Sequence, residues 1–303
     1  MRAATGAIEG IEPMPSSATE GAASQAEHDA EVAAERARVR VIRPLSERDI
    51  QAMTSVGEQL WGPGGTFAPN ELRAMIHAGA SATAVFDQQQ PDAPMIGFAI
   101  GFLGWSPRVH LHSHQVGVMP EYRRRGVGYA LKLAQRQACL ELGISDMRWT
   151  FDPLIRRNTA FNLGALGVQA TSFYPNFYGH MGDAINGDDA TDRLEAVWDL
   201  LRPLPDRRHG PISQRSKQPS GAPARALLVQ HDGWPQVTDE APAAGAAIAI
   251  PTDYETLRSQ DRRRSAAWRA ATRYVLQRSY AAGLRVGAVE KVGYRLEPNE
   301  ESN

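Results

Sequence analysis

The amino-acid sequence predicts an α/β fold in which a central mixed sheet is flanked by helices, followed by a smaller α/β C-terminal subdomain. Three observations carry that expectation. From residue 39 to about 200 the apolar residues switch repeatedly between a period of two and a period of about 3.6, so strands and helices interleave along the chain. The 303 residues, 42% of them hydrophobic, suffice for one large domain or two ordinary ones. Two stretches of different composition then set the boundaries. Residues 1–38 mix Ala, Gly, Ser, Pro and Glu with few larger apolar side chains beyond Ile8, Ile11, Met14 and Val32, which predicts a disordered N-terminal tail. At 203–224, Pro203, Pro205, Pro211, Pro219 and Pro223 are interleaved with Arg207, Arg208, Arg215 and Lys217, the pattern of an interdomain linker. The main domain is therefore expected at 39–202 and the subdomain at 225–298.

Val39-Arg40-Val41-Ile42 opens the main domain as a strand, and a helix runs from Ser46 to Leu60, with Ser46 and Asp49 spaced as a capping box. A shorter helix from about Asn70 to His77 and a strand at 82–86 lead to Met95–Phe102, whose unbroken apolar character reads as a central strand buried on both faces. Val109 to Val118 forms the next strand. The helix from Gly126 to Leu142 places Val127, Ala130, Leu131, Ala134 and Ala138 on one face and ends at Gly143. Met147, Trp149 and Phe151 alternate with Arg148, Thr150 and Asp152 as a half-buried strand. A helix near Asn158–Leu166 and strands near 170–175 and 193–200 complete the domain. The C-terminal segment reads as a strand at 226–230, a helix from Ser265 to Ala282, and two short strands around Val286 and Tyr294.

A formal net charge of −1, from 33 Lys plus Arg against 34 Asp plus Glu, offers no field to gather nucleic acid or an anionic membrane. No run of about 18 apolar residues suggests a membrane span, and no apolar leader opens the chain, so a cytoplasmic location is expected. Arg262-Arg263-Arg264 lacks a matching basic stripe and reads as a solvated helix start. The single Cys139 falls within a helical pattern and is expected to pack as a small hydrophobe.

The stretch that carries chemistry is the strand-to-helix junction Val116-Gly117-Val118-Met119-Pro120-Glu121-Tyr122-Arg123-Arg124-Arg125-Gly126-Val127-Gly128-Tyr129. Two glycines separated by one residue let the backbone turn tightly, and the helix that follows presents unpaired first-turn N–H groups at its positive dipole end. A phosphate fits there, and three arginines stand within reach of it. Gly-x-Gly alone is also compatible with a plain turn beside a solvated arginine face. A dinucleotide fingerprint would want a third glycine and a downstream acid, and a phosphate loop of the Walker type would want Gly-Lys-Ser/Thr; neither is present.

The full pattern Val-x-Val-x-Pro-Glu-Tyr-Arg-x-x-Gly-x-Gly after a strand resembles the acyl-CoA signature of the GNAT superfamily of N-acyltransferases. The resemblance covers roughly Arg40 to Leu200 and implies the GNAT fold, with acyl-CoA (acetyl-CoA or succinyl-CoA) as co-substrate. It implies that Val116, Gly117 and Val118 border pantetheine, and that Arg123, Arg124, Arg125, Gly126, Val127, Gly128 and Tyr129 cradle the pyrophosphate. Phe151-Asp-Pro-Leu followed by Arg157-Asn158 looks like the second half of the same fold, which puts Asn158 and Phe161 beside the cofactor arm; helix N-capping is the alternative for Asn158. His112-Ser113-His114, Asp192-Arg193-Leu194 and the C-terminal Trp268-Arg-Ala-Ala-Thr-Arg and Gly283-Leu-Arg-Val look like a little-characterised bacterial branch with a C-terminal extension. The implied reaction moves an acyl group to the amine of a small molecule, which could be an amino acid, by direct attack in a ternary complex. A homodimer is left open. The superfamily often places a tyrosine acid where this chain has Leu163, so Tyr174, Tyr178 or water must protonate the leaving thiolate, or a non-catalytic acyl-CoA-binding module is the alternative.

An attacking amine must be neutral, whereas a lysine-like amine of pKa about 10.4 is almost wholly protonated at neutral pH. His110, His112 and His114 alternate along one strand and so share a face, and imidazole has the pKa suited to deprotonation. His112 and His114 are the expected catalytic pair. Structural hydrogen bonding is one alternative. Metal binding is another, but same-face positions lie about 7 Å apart, so three imidazoles on one strand do not meet one ion and no metal is expected.

Overall fold

The computed structural model describes residues 17–44, 46–89, 94–179, 189–205 and 225–299. Its main sheet has seven strands: β1 (Val39–Ile42), β2 (Ser81–Asp87), β3 (Met95–Gly104), β4 (His110–Val118), β5 (Asp146–Phe151), β6 (Gln169–Tyr174) and β7 (Arg193–Asp199). They stand in the order β1-β2-β3-β4-β5-β7-β6. All neighbours are antiparallel except β4 and β5. Helices cover both faces, which is why β3 is buried from Met95 to Gly101 without alternation. Met95, Phe98 and Ile100 face α2 (Glu47–Trp61) and α3 (Pro69–His77), while Ile96 and Ala99 face the opposite layer, which is built on α4 (Val127–Glu141). Ser46 caps α2 as expected, its Oγ accepting from Asp49 N at 3.1 Å.

The expectation of a disordered tail at 1–38 is corrected in its larger part. Ser17–Ala37 forms helix α1, which lies along α4 and buries Ala26, Ala30, Ala33 and Ala37. Small side chains at this spacing let two helices approach closely, so a stripe that lacks large apolar residues can still be a packing face. Arg136 of α4, only 2% exposed, is paired with Asp29 at 3.0 Å. Residues 1–16 lie outside the described residues. Deleting residues 1–37 would strand the buried Arg136 and uncover α4. We expect a loss of about 3 kcal/mol or more, a fall of roughly 6–12 °C in Tm by calorimetry; an unchanged Tm would show that α1 contributes nothing to the fold.

Residues 206–224 of the predicted linker also lie outside the described residues. Beyond them β8 (Ala226–His231), β9 (Trp234–Val237), β10 (Ala247–Ala249), α6 (Tyr254–Gln260), α7 (Arg262–Ala281), β11 (Leu284–Val289) and β12 (Gly293–Pro298) form a second sheet in the order β11-β12-β10-β8-β9. The sequence pattern does not signal β9, β10 or α6, because β9 holds a proline and β10 has three residues. Leu227, Leu228, Ile248, Trp268 and Tyr294 belong to the same continuous core as α4 and β5. The subdomain is thus welded to the main sheet. Tyr280 donates to Ala170 O at 2.7 Å and Asn299 Nδ2 to Thr171 O at 2.9 Å, both on β6.

Candidate active site

The decisive feature is where β4 and β5 stop pairing. Their ladder consists of Leu111 with Met147 and His112 with Arg148. Past those residues β4 keeps its bonds to β3 and β5 keeps its bonds to β7, so Ser113–Val118 and Trp149–Phe151 face one another across an opening. Unpaired strand edges there offer backbone donors and acceptors to an extended ligand arm. A bulge shapes one side: β3 pairs Ile100 with Gln115 and Gly101 with Ser113, leaving His114 as the extra residue.

Val116-Gly117-Val118 runs along this opening into the glycine loop. A Cβ on Gly117 would stand 2.9 Å from Trp61 Cη2 and drive into Leu60, so both side chains would have to shift to admit one. At the loop, Arg124 has φ 63° and Gly126, the N-cap of α4, has φ 89°, a left-handed conformation that glycine adopts without strain. Tyr129 N and Ala130 N both bond to Gly126 O at 3.0 Å. A Cβ on Gly128 would meet nothing nearer than Val118 Cγ2 at 4.0 Å, so the space before the first turn of α4 is open. Arg123 Nε donates to Val118 O at 3.1 Å, and Arg125 stacks over Tyr122 at 5.0 Å. An open helix N-terminus beside arginines fits a pyrophosphate, and the residues present therefore suit acyl-CoA.

Two faces of the opening differ. Ser113 turns toward α4, while His112 and His114 turn toward the α2 side, their ring centroids 6.0 Å apart. Phe102 lies 5.1 Å from His112, and Phe67 lies 5.5 Å from His114, so four rings line a slot. Gln115 ties down the loop after α2, accepting from Thr66 Oγ1 at 2.8 Å and donating to Gly65 O at 2.9 Å. Burial, followed by the charges of His114, His110 and Lys132, pushes the His112 imidazolium down to about 4; burial also lowers His114. His110 is different: it is buried at the β3–β4 turn, with Nδ1 2.8 Å from Arg108 O.

The remaining expected residues fare unevenly. Tyr174 ends β6, two strands away from β5, and its hydroxyl donates to Glu195 at 3.2 Å. Tyr178 instead reaches Thr150 on the free edge of β5, with 3.0 Å between the hydroxyls. The structure thus brings Tyr178, not Tyr174, to the opening. Asn158 is exposed inside α5 (Arg156–Thr159), whose N-cap is Ile155, so the capping alternative is overturned. Phe161 is half-buried against the core. Burial, and then the charge of Arg123, lowers the Arg157 pKa, and its Nη2 donates to Glu255 Oε1 at 2.9 Å. Leu163 is buried, and Cys139 is a buried thiol that burial pushes up to about 12, in keeping with a packing role. Sequence reading missed Phe67, Phe102 and Gln115, which only chain folding brings together; Phe102, an exposed aromatic ring at the end of a β3 that is buried up to Gly101, carries no periodic signal that could have found it. Among the described residues there is no group of three or more metal-type ligands, and no helix is long and apolar enough to cross a membrane.

A mixed sheet that opens between two parallel neighbours, with a glycine loop at the helix that follows, is an architecture able to seat an acyl-CoA. Residues 57–157 match the family model described as the acetyltransferase (GNAT) family. The chain accordingly carries a GNAT acetyltransferase domain over residues 57–157. No curated protein matches it in sequence. Among solved structures it is similar to the ribosomal-protein-S18-alanine N-acetyltransferase from Escherichia coli, at 15% identity over 55% of this chain and 96% of that one, with a TM-score of 0.43. It is also similar to Naa20 from Chaetomium thermophilum in complex with a bisubstrate analogue, at 19% identity over 53% and 85% of the two chains and a TM-score of 0.41. The IAA acetyltransferase from Bacillus cereus is a third, at 12% identity over 53% and 99%, with a TM-score of 0.41.

Proposed function

We propose that the chain transfers a short acyl group from acyl-CoA to the primary amine of a small molecule, by direct attack in a ternary complex. The observation that carries this reading is the β4–β5 opening, with the glycine loop at one end and the ring-lined slot of Phe67, Phe102, His112 and His114 on the α2 side. The acceptor nitrogen forms the new amide bond to the thioester carbon as the C–S bond breaks, and CoA leaves as the thiolate. His114, lowered by burial alone, is the stronger base of the pair and accepts the amine's proton. His112, with a conjugate acid near 4, is too weak a base for that step and serves as a hydrogen-bond acceptor that holds the neutral amine. Tyr178 supplies the proton to the departing thiolate, whose ordinary pKa of about 8.5 asks little of the acid.

Thiol release from a panel of acyl-CoAs, each offered with a panel of amines, tests this directly. His114→Ala is expected to lower kcat at pH 7 by about 100- to 10,000-fold with CoA binding retained, and raising the pH should partly restore it because more amine is then neutral. His112→Ala should cost less, about tenfold. Because both imidazoles are displaced downward, the wild-type enzyme stays in its basic form to below about pH 6.5, and its acid limb falls there rather than above. Wild-type rates in both variants, under conditions where chemistry is limiting, would move the proton to a water relay. No thiol release with any pairing would sink the catalytic reading itself.

A further inference from the structure

The end of α1 meets the glycine loop beside a second cavity. Ala37 closes α1, and a Cβ on Gly126 would stand 3.7 Å from Ala37 Cβ, so the two segments lie side by side. Next to them is a cleft of about 340 Å³, rimmed by Arg36, Arg38 and Arg125 and walled by Val39, Ile96 and Tyr122, with Asp87 of β2 also lining it. The cleft is separate from the β4–β5 opening, because its strand residues come from β1, β2 and β3, and β4 lies between those strands and β5.

Its charged groups are not spent on one another. Asp87 is only 9% exposed, and its Oδ1 accepts from Gln89 N at 2.9 Å, while its second oxygen has no hydrogen-bond or ion-pair partner among the described residues. Among the described residues no carboxylate pairs with Arg36, Arg38 or Arg125 either. The helix dipole accounts for Arg36, in the last turn of α1, but not for Arg38. Arg38 follows α1 directly at φ 54°, the left-handed position where a helix commonly ends on glycine, so a strained backbone sets this side chain at the cleft. A nearly buried carboxylate suits a pair of ribose hydroxyls, and cations facing it suit phosphates.

We infer that this cleft binds a nucleoside diphosphate, at a site of its own beside the glycine loop. Arg36, Arg38 and Arg125 take the phosphates, Asp87 accepts from the ribose hydroxyls, and the base lies against Val39, Ile96 and Tyr122. Because Arg125 belongs to the glycine loop, the nucleotide draws on a charge that the pyrophosphate of acyl-CoA also uses, and each ligand weakens the other by the same factor. The nucleotide site stands without the acyl-CoA reading; the coupling rests on it.

Calorimetric titration of the full-length protein with ADP, GDP, UDP and CDP tests this. At least one should bind with a Kd of about 100 μM or tighter. Arg38→Gly, which the left-handed backbone admits without strain, should weaken that nucleotide about 10- to 100-fold, with CoA affinity unchanged and Tm no lower than in the wild type. Asp87→Asn retains an acceptor for Gln89 N and should erase the several-fold advantage of the nucleotide over its 2′,3′-dideoxy form. Added CoA should raise the nucleotide Kd about tenfold and then level off. No binding of any of the four, displacement by CoA without limit, or undiminished affinity in Arg38→Gly overturns the inference. Nucleotide binding that CoA leaves unaltered overturns the coupling, and failure of CoA itself to bind overturns the acyl-CoA reading while the nucleotide site stands.

Discussion

Gly128→Asp is expected to weaken CoA binding by more than about 100-fold while the protein melts close to the wild type. The loss follows from geometry: Gly128 is the second residue of α4, and the space beyond it is where a Cβ would meet only Val118 Cγ2, at 4.0 Å. A carboxylate there occupies the place of the pyrophosphate and opposes its charge. Two charge-assisted bonds lost at about 1.5–3 kcal/mol each already exceed that factor. The fold should survive because an acidic residue in the first helical turn interacts favourably with the dipole, and the open space accommodates it. Gly126 is the poorer test, since its φ of 89° would add backbone strain of about 1–2 kcal/mol in any other residue. Calorimetry with CoA reads the result, and undiminished affinity in Gly128→Asp would remove the pyrophosphate from the α4 N-terminus.

Arg269→Ala should destabilise the protein by about 3–5 kcal/mol, enough to lower Tm by roughly 6–20 °C. Arg269 of α7 is 4% exposed and joins the subdomain to the main sheet. It donates to both oxygens of Asp152, at 2.9 and 2.7 Å, and to Asp189 at 2.8 Å. Asp152 follows directly on β5 and also accepts from Leu154 N at 2.8 Å. Without the guanidinium, two carboxylates with little exposure lose their principal counter-charge. Burial by itself would raise the Asp152 carboxyl, but the charge and hydrogen bonds of Arg269, with Arg193 beyond, hold it below the ordinary carboxylate range. A lowered carboxylate contributes stability that is complete above about pH 4 and is lost as the pH falls through its folded value, so the wild type should lose this share of its stability only in strong acid. Thermal unfolding of Arg269→Ala at pH 7, with a Tm within a degree of the wild type, would show that the buried pair does not hold the subdomain in place.

What the sequence settled by itself was whatever depends on neighbours along the chain. Period-two and helical patterns placed β2 to β5, α2, α4 and α7 close to their observed bounds, because burial of one face imposes those periods locally. The glycine loop was legible for the same reason, since a left-handed Gly126 opening an amphipathic helix is written in adjacent residues. Composition misled at α1, where Ala26, Ala30, Ala33 and Ala37 carry the packing and no large apolar residue advertises it. Tertiary structure alone decided the rest. The bulge that makes His114 an extra residue depends on how β3 registers with β4, and the choice of Tyr178 over Tyr174 depends on which hydroxyl crosses to β5. The parting of β4 from β5 places Lys132 against Ser113 and Trp149, and docking of α7 brings Arg269 to Asp152, 117 residues away. Side-chain chemistry and local period are properties of the segment, but the partner that satisfies a buried charge is chosen by packing between segments, which no local pattern records.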